Sequence, residues 1–167
     1  MRPIVICLFL FSSTTLFPQT AEELDRMLET RELSAARAAR FVLGAAELLP
    51  EYLSGADAED AAWTIAVENG WVPGGPDDTL RLADAAFLVM NAFGIKGGIM
   101  YSIFHNPRYA YREMVYKKLI QGRGDPGFTV SGERLLRIIG RTLHYSGEDE
   151  LLDRWQDELE IPAVLGR

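Results

Sequence analysis

The residues best suited to binding chemistry form a basic and aromatic segment in the middle of the chain. From Lys96 to Arg123 the sequence has six basic residues, five aromatic residues and a single acid, Glu113. The chain as a whole is acidic, with a formal net charge of −7. This local reversal of charge marks the segment as a candidate site, whereas the acidic balance of the whole chain argues against nucleic-acid binding.

Helical spacing separates this segment into an inner and an outer face. A helix predicted over 107–121 directs Tyr109, Arg112 and Tyr116 outward; its core face carries Tyr111, Met114, Val115 and Leu119. Exposed tyrosines beside an arginine suit sugar stacking, carboxylate pairing or a partner interface. The alternative is that these tyrosines cover the edge of the core with their hydroxyls in water.

A second candidate site is a stripe of arginines near the C-terminal end. Arg134, Arg137 and Arg141 follow at i, i+3 and i+7, which places them on one face of a helix opened by Ser131. Arg37 and Arg40 repeat part of this spacing in an earlier helix. The stripes predict an anion-binding groove, or else arginine stems that cover the edge of the core with their charged ends in water.

Motifs of catalysis are absent from the sequence. The two histidines, His105 and His144, have no metal-ligand spacing around them, and we expect both at the surface. Asp77 and Asp78 lie in a turn, where we expect them to cap a helix that begins at Thr79. The sequence therefore favours a protein that is not an enzyme and that has no cofactor and no metal; a hydrolase acting on wall material is the least favoured possibility.

Apolar periodicity predicts an all-α protein. The two Gly- and Pro-rich stretches, 72–78 and 122–127, read as turns, and short extended pieces are possible beside them. Helices are predicted over 33–49, 57–70, 79–94, 107–121, from Ser131 to about Leu143, and over 148–160 as a final acidic amphipathic helix.

The N-terminal residues have the pattern of a secretory signal peptide. Arg2 precedes an apolar run from Ile4 to Phe11, and small and polar residues follow up to Ala21. We therefore expect residues 1–21 to be removed on export, which leaves a single helical domain over 22–160 with no transmembrane span. Cys7, the only cysteine, lies in the segment to be removed, so no disulfide is expected.

An internal repeat of about 48 residues is visible in the sequence. Shifting the chain by 48 residues places Leu82 on Val130 and Gly74 on Gly122, and a shift of 49 places Leu33 on Leu82. Arg37 and Arg40 then match Arg134 and Arg137, with Ala86 and Val89 between them. The prediction is about two and a half stacked helix–turn–helix pseudo-repeats, approximately 22–50, 57–96 and 107–145, with 148–160 as a capping helix.

The repeat unit resembles the S-layer homology domain. The matching stretches are Trp63 to Gly70, Gly74 to Asp78 and Leu82 to Leu88, with a weaker copy from Tyr111 to Leu143. The family's Thr-Arg-Ala-Glu opening of the second helix is replaced by Leu-Ala-Asp-Ala from Leu82 and by Val-Ser-Gly-Glu from Val130. The resemblance implies a helical bundle in an exported, periplasmic or outer-envelope protein.

Export and the candidate sites together lead to two functional hypotheses. The first is a non-catalytic domain that binds an anionic cell-wall polymer such as peptidoglycan. Its ligand-binding residues would be Tyr109, Arg112, Tyr116, Arg134, Arg137 and Arg141. The alternative is a protein–protein interaction module of a periplasmic or outer-membrane assembly, which would use the same tyrosines and the helix around Trp155.

Overall fold

The described part of the chain is all-helical, which confirms the predicted fold class. The computed structural model describes the backbone of residues 18–122 and 124–159 and the side chains of residues 21–122 and 124–147. Within these ranges extended pairing is limited to two isolated antiparallel bridges, Ser34 with Thr79 and Arg81 with Thr129. The helices are α1 (Pro18–Glu29), α2 (Ala35–Ala45), α3 (Gly55–Glu68), α4 (Leu82–Ala92), α5 (Ile99–Phe104), α6 (Pro107–Tyr116) and α7 (Gly132–Leu159).

Several helix boundaries differ from the predicted ones for local reasons. Helix α4 begins at Leu82 instead of Thr79, because the residues before it are extended and pair with neighbouring loops. Helix α6 ends at Tyr116, and Lys118 adopts a left-handed backbone with φ of 61°. Pro107 occupies the first turn of α6 as predicted, and the Asn106 side chain caps it by accepting from the Tyr109 N–H.

The predicted separate capping helix over 148–160 is not present in the structure. Helix α7 continues without a break from Gly132 to Leu159. Gly147 lies within α7, where a glycine costs only about 1 kcal/mol relative to alanine and so does not end the helix. The predicted signal peptide lies mostly in residues 1–17, outside the described residues.

The helices pack as three pairs. Helix α3 lies against α2, α6 lies against α4, and α1 lies against α7, while α2, α4 and α7 also contact one another. These three central helices supply most of the buried apolar side chains. Fully buried examples are Leu43 on α2, Leu88 on α4 and Leu135 on α7. The small helix α5 contacts α6 and is an addition between α4 and α6.

A closed triangle of backbone hydrogen bonds joins the starts of the central helices. The Leu33 N–H donates to the Val130 carbonyl (2.9 Å), the Val130 N–H to the Leu80 carbonyl (3.0 Å), and the Leu80 N–H to the Leu33 carbonyl (2.8 Å). All three residues are buried. Each lies two positions before its helix, so the triangle fixes where α2, α4 and α7 begin.

Loop carbonyls around this triangle satisfy the first N–H groups of the central helices. The N–H of Ala35 donates to Asp78, that of Leu82 to Phe128, and that of Gly132 to Thr30, at 2.8–2.9 Å. The first N–H groups of a helix have no partner within the helix, so these bonds remove a cost that buried helix ends would otherwise carry. Backbone carbonyls of the loops, and not side chains, accept these bonds. The loops must therefore lie close to the helices that they cap.

Candidate functional site

The three C-terminal arginines of the predicted site line one groove. Helix α7 presents Arg134, Arg137 and Arg141 at successive turns, and the residues after α6 form the opposite wall. Its cavity volume is about 300 Å³. We call this the arginine groove; its lining residues are Ile120, Gln121, Ser131, Glu133, Arg134, Arg137, Ile138 and Arg141.

Local contacts position these arginines. The Ser131 hydroxyl accepts from the Arg134 N–H (3.3 Å) and caps the first turn of α7, as the sequence predicted. Ile138 is buried and Arg141 is half-buried, and the Arg141 Nη1 donates to the Leu119 carbonyl (3.3 Å). Arg141 is thus held against the segment after α6, the Arg134 guanidinium lies beside Gly124, and all three arginines line the cavity.

The arginine groove has an excess of positive charge. Its lining has three arginines and one acid, Glu133, which pairs with Arg137 four residues later. Among the side chains that the structure describes, no carboxylate pairs with Arg134 or Arg141. The two guanidinium groups retain donors for an anion, and a guanidinium matches a carboxylate or phosphate in a bidentate way.

The earlier arginine stripe lies in a different groove and is neutralised there. Arg37 and Arg40 line a cavity of about 260 Å³ between α1, α2 and α3. The Arg40 Nη2 lies 2.5 Å from Glu23 Oε2, and the Arg37 Nε lies 3.8 Å from Glu59 Oε2. Arg26 also lines this cavity and pairs with Glu22. Because all three cations have an acid beside them, this groove offers less to an incoming anion than the arginine groove.

The triangle allows the arginine stripes to be compared with α4. Arg37 and Arg40 lie four and seven residues after Leu33, and Arg134 and Arg137 lie four and seven residues after Val130. The residues four and seven positions after Leu80 are Asp84 and Phe87. Phe87 is buried against the rings of Tyr101 and His105, at 6.3 and 5.1 Å between ring centroids.

Asp84 belongs to a third cavity of about 300 Å³, which Arg81 also lines. Burial raises the pKa of the Asp84 carboxyl above its usual value, although Arg81 acts in the opposite direction. The third groove thus has an acid where the other two have an arginine. An anion is disfavoured there, and the three grooves are chemically different.

The tyrosines of the predicted site do not line the arginine groove. Tyr109, Arg112 and Tyr116 share one face of α6, and none of them is among the groove's lining residues. Tyr116 is 83% exposed, whereas Tyr109 is half-buried and stacks on Phe104 at 5.1 Å. The six predicted ligand-binding residues are therefore divided between two surfaces, and Val115, predicted in the core, is exposed.

A second basic cavity, of about 410 Å³, lies beside the end of α4 and was not predicted from the sequence. Lys96 and Lys117 line it together with Tyr145 of α7. The Lys117 Nζ donates to the Tyr145 hydroxyl (2.7 Å) and lies 4.8 Å from the centre of that ring. The density of lysines was visible in the sequence, but the distant Tyr145 gave no signal.

The residues considered for catalysis are dispersed. His105 lies at the C-terminal end of α5 with φ of 35°, and His144 is exposed on α7. Asp78 does not cap α4: its Oδ2 accepts from the Gly75 N–H (2.7 Å) and so closes the turn before the extended residues. Among the side chains of residues 21–122 and 124–147, no group of three acidic, histidine or cysteine residues is placed to hold a metal.

Comparisons with protein-family models, with curated proteins and with solved structures give no match for this chain. The resemblance to the S-layer homology domain therefore stays a prediction. In the described segments, no helix combines the length and the apolar character needed to cross a bilayer.

Proposed function

We propose that this protein is a non-catalytic, exported envelope domain that binds an anionic wall polymer such as peptidoglycan. The observation that carries the proposal is the arginine groove, which Arg134 and Arg141 line and where no carboxylate of the described side chains pairs with either of them. A groove with surplus guanidinium groups in an acidic protein suits a ligand that presents carboxylates or phosphates.

The same proposal includes an S-layer-homology-like architecture of helix–turn–helix pseudo-repeats. The triangle of Leu33, Leu80 and Val130 supports it, because equivalent backbone positions recur before α2, α4 and α7. We assign α1–α2, α3–α4 and α6–α7 as the three units. This adds α1 as the first helix of a unit that the sequence had shown as a half.

Export is the second part of the proposal and follows from the predicted signal peptide. Cleavage after Thr20 or Ala21 would keep Glu23 and Met27 in the mature chain. Glu23 pairs with Arg40, and Met27 is buried in the core. The described contacts of α1 are therefore compatible with cleavage at that position, and N-terminal sequencing of the exported protein tests it.

Retention on purified peptidoglycan tests the binding proposal. The double variant Arg134→Ala/Arg141→Ala should lose about tenfold in retention, because two partly exposed ion pairs of up to about 1 kcal/mol each correspond to about thirtyfold at most. Retention by the unaltered protein should also weaken as salt is raised, since exposed charges are screened over about 10 Å at 0.1 M.

The matched control is Arg37→Ala/Arg40→Ala, which also removes two arginines from a groove but from the one with paired acids. Circular dichroism first verifies that this variant is folded. The folded variant should then retain most of its binding to peptidoglycan. Equal loss in both double variants would show that net charge, and not the arginine groove, determines retention. Recovery of a specific protein with no retention on peptidoglycan would favour the interaction-module alternative.

A further inference from the structure

Helix α5 exposes an apolar surface that the fold does not use. Ile99, Met100, Ile103 and Phe104 are 76%, 54%, 65% and 54% exposed, respectively. Their positions, i, i+1, i+4 and i+5, place them side by side on one face of the helix. We call these four residues the α5 patch.

The inner face of α5 is firmly attached to the domain. Tyr101 is buried, and its ring contacts Phe87 and His105 at 6.3 and 4.9 Å between centroids. Phe104 in turn stacks on Tyr109 of α6, with 16° between the ring planes. The α5 patch is thus presented outward by a supported helix, with an aromatic pair at its edge.

Basic residues flank the α5 patch in the sequence although the chain as a whole is acidic. Lys96 precedes it, and Arg108 and Arg112 follow it on α6. Glu113, the one acid between Lys96 and Arg123, has its carboxylate beside Gly98 at the start of α5. In a protein with a net charge of −7, this local excess of positive charge suits an anionic surface.

The size of the patch indicates what kind of surface it fits. Six helical residues extend over only about 9 Å, whereas a stable protein interface buries about 800 Å² on each partner. Shallow insertion into a bilayer needs only a few apolar side chains that reach about 5–10 Å below the headgroups, with basic and aromatic residues at the boundary.

We propose that the α5 patch is a docking site for an anionic lipid surface, with Ile99, Met100, Ile103 and Phe104 entering the bilayer and Lys96, Arg108 and Arg112 contacting the headgroups. This inference goes beyond wall-polymer binding and does not depend on it, because it uses none of the arginine groove. The domain would lie on the membrane by one edge, without any segment crossing it.

Co-sedimentation of the exported chain, from residue 22 onward and so without the apolar run of Ile4 to Phe11, with lipid vesicles tests the proposal. Vesicles of phosphatidylcholine alone are compared with vesicles of equal parts phosphatidylcholine and phosphatidylglycerol. The protein should bind the anionic vesicles. Ile103→Ser/Phe104→Ser should weaken that binding by roughly a hundredfold, since each large apolar side chain contributes about tenfold.

Two further variants identify the source of any binding. Lys96→Gln/Arg108→Gln should weaken binding to the anionic vesicles by roughly fivefold for each charge removed. Leu24→Ser/Leu28→Ser removes two apolar side chains of similar exposure from α1 and should bind like the unaltered chain. Circular dichroism verifies the helical content of every variant.

Three results would overturn the proposal. Binding that is unchanged in Ile103→Ser/Phe104→Ser would assign membrane contact to another part of the chain. Equal binding to both vesicle types would remove the role of the basic residues. A dimer seen by sedimentation velocity and abolished by Ile103→Ser/Phe104→Ser, without vesicle binding, would assign the α5 patch to a second copy.

Discussion

Replacement of Gly132 by alanine should destabilise the domain even though alanine is the better helix former. A Cβ added to Gly132 would overlap the carbonyl oxygen of Met27, where α1 ends against the start of α7. The Gly132 N–H also donates to the Thr30 carbonyl (2.9 Å), so neither backbone can retreat without breaking that bond. Overpacking of this kind costs about 1–3 kcal/mol.

The opposing effect is the helical preference for alanine, about 1 kcal/mol in favour of the variant. Because the overlap is with backbone atoms of Met27 and not only with a flexible side chain, the upper end of the overpacking cost applies, and the net expectation for Gly132→Ala is a loss of about 2 kcal/mol in the free energy of unfolding. Urea denaturation followed by the helical circular dichroism signal measures this value, and the unfolding temperature should fall by about 3 °C for each kcal/mol.

Gly140→Ala is the matched control on the same helix. Gly140 is exposed, and nothing lies within 4 Å of an added Cβ, so only the helical preference acts. This variant should gain about 0.5–1 kcal/mol. The two substitutions should consequently differ in sign. If Gly132→Ala proved as stable as Gly140→Ala, the close contact between α1 and α7 would be refuted.

Three other substitutions probe single polar groups by the same denaturation assay. Tyr111→Phe removes the bond from the Tyr111 hydroxyl to the Gly124 carbonyl (2.6 Å) and should cost about 1 kcal/mol; no change would mean that water replaces the bond. Thr142→Val should stabilise by about 1 kcal/mol, because the buried Thr142 hydroxyl has no partner within the described structure; a loss would reveal an unseen partner. Burial raises the pKa of the Asp84 carboxyl, so the folded state binds the carboxyl proton more tightly than the unfolded state does. The free energy of unfolding therefore falls as pH rises from the unfolded pKa through the folded pKa of this group. The stability of Asp84→Asn relative to the unaltered protein should therefore increase from pH 3 to pH 7, and a constant difference would contradict the role of burial.

The helices themselves were largely predictable from the sequence, because apolar spacing and a few capping residues act locally. Ser131 and Pro107 both mark real helix starts. The spacing of Arg134, Arg137 and Arg141 on one helix also placed them on one side of a cavity. In each of these cases the residues that determine the structure lie within a few helical turns of one another.

The predictions were wrong where contacts between segments far apart in the sequence determine the local structure. The residues before α4 are extended because Leu80 bonds to Leu33 and Val130, which are far away in the sequence. Tyr109 was expected outward, but Phe104 of α5 stacks on it. The ion pairs of Arg37 and Arg40 could not be predicted either, because their partners Glu59 and Glu23 lie on other helices.

The triangle of Leu33, Leu80 and Val130 has a consequence for how the domain loses its structure. In an open array of repeats, a terminal unit can separate while its neighbours remain paired. Here every corner of the triangle takes part in two of the three bonds, so releasing any one segment leaves a single bond between the others. The starts of α2, α4 and α7 are therefore coupled, and we expect them to lose their structure together.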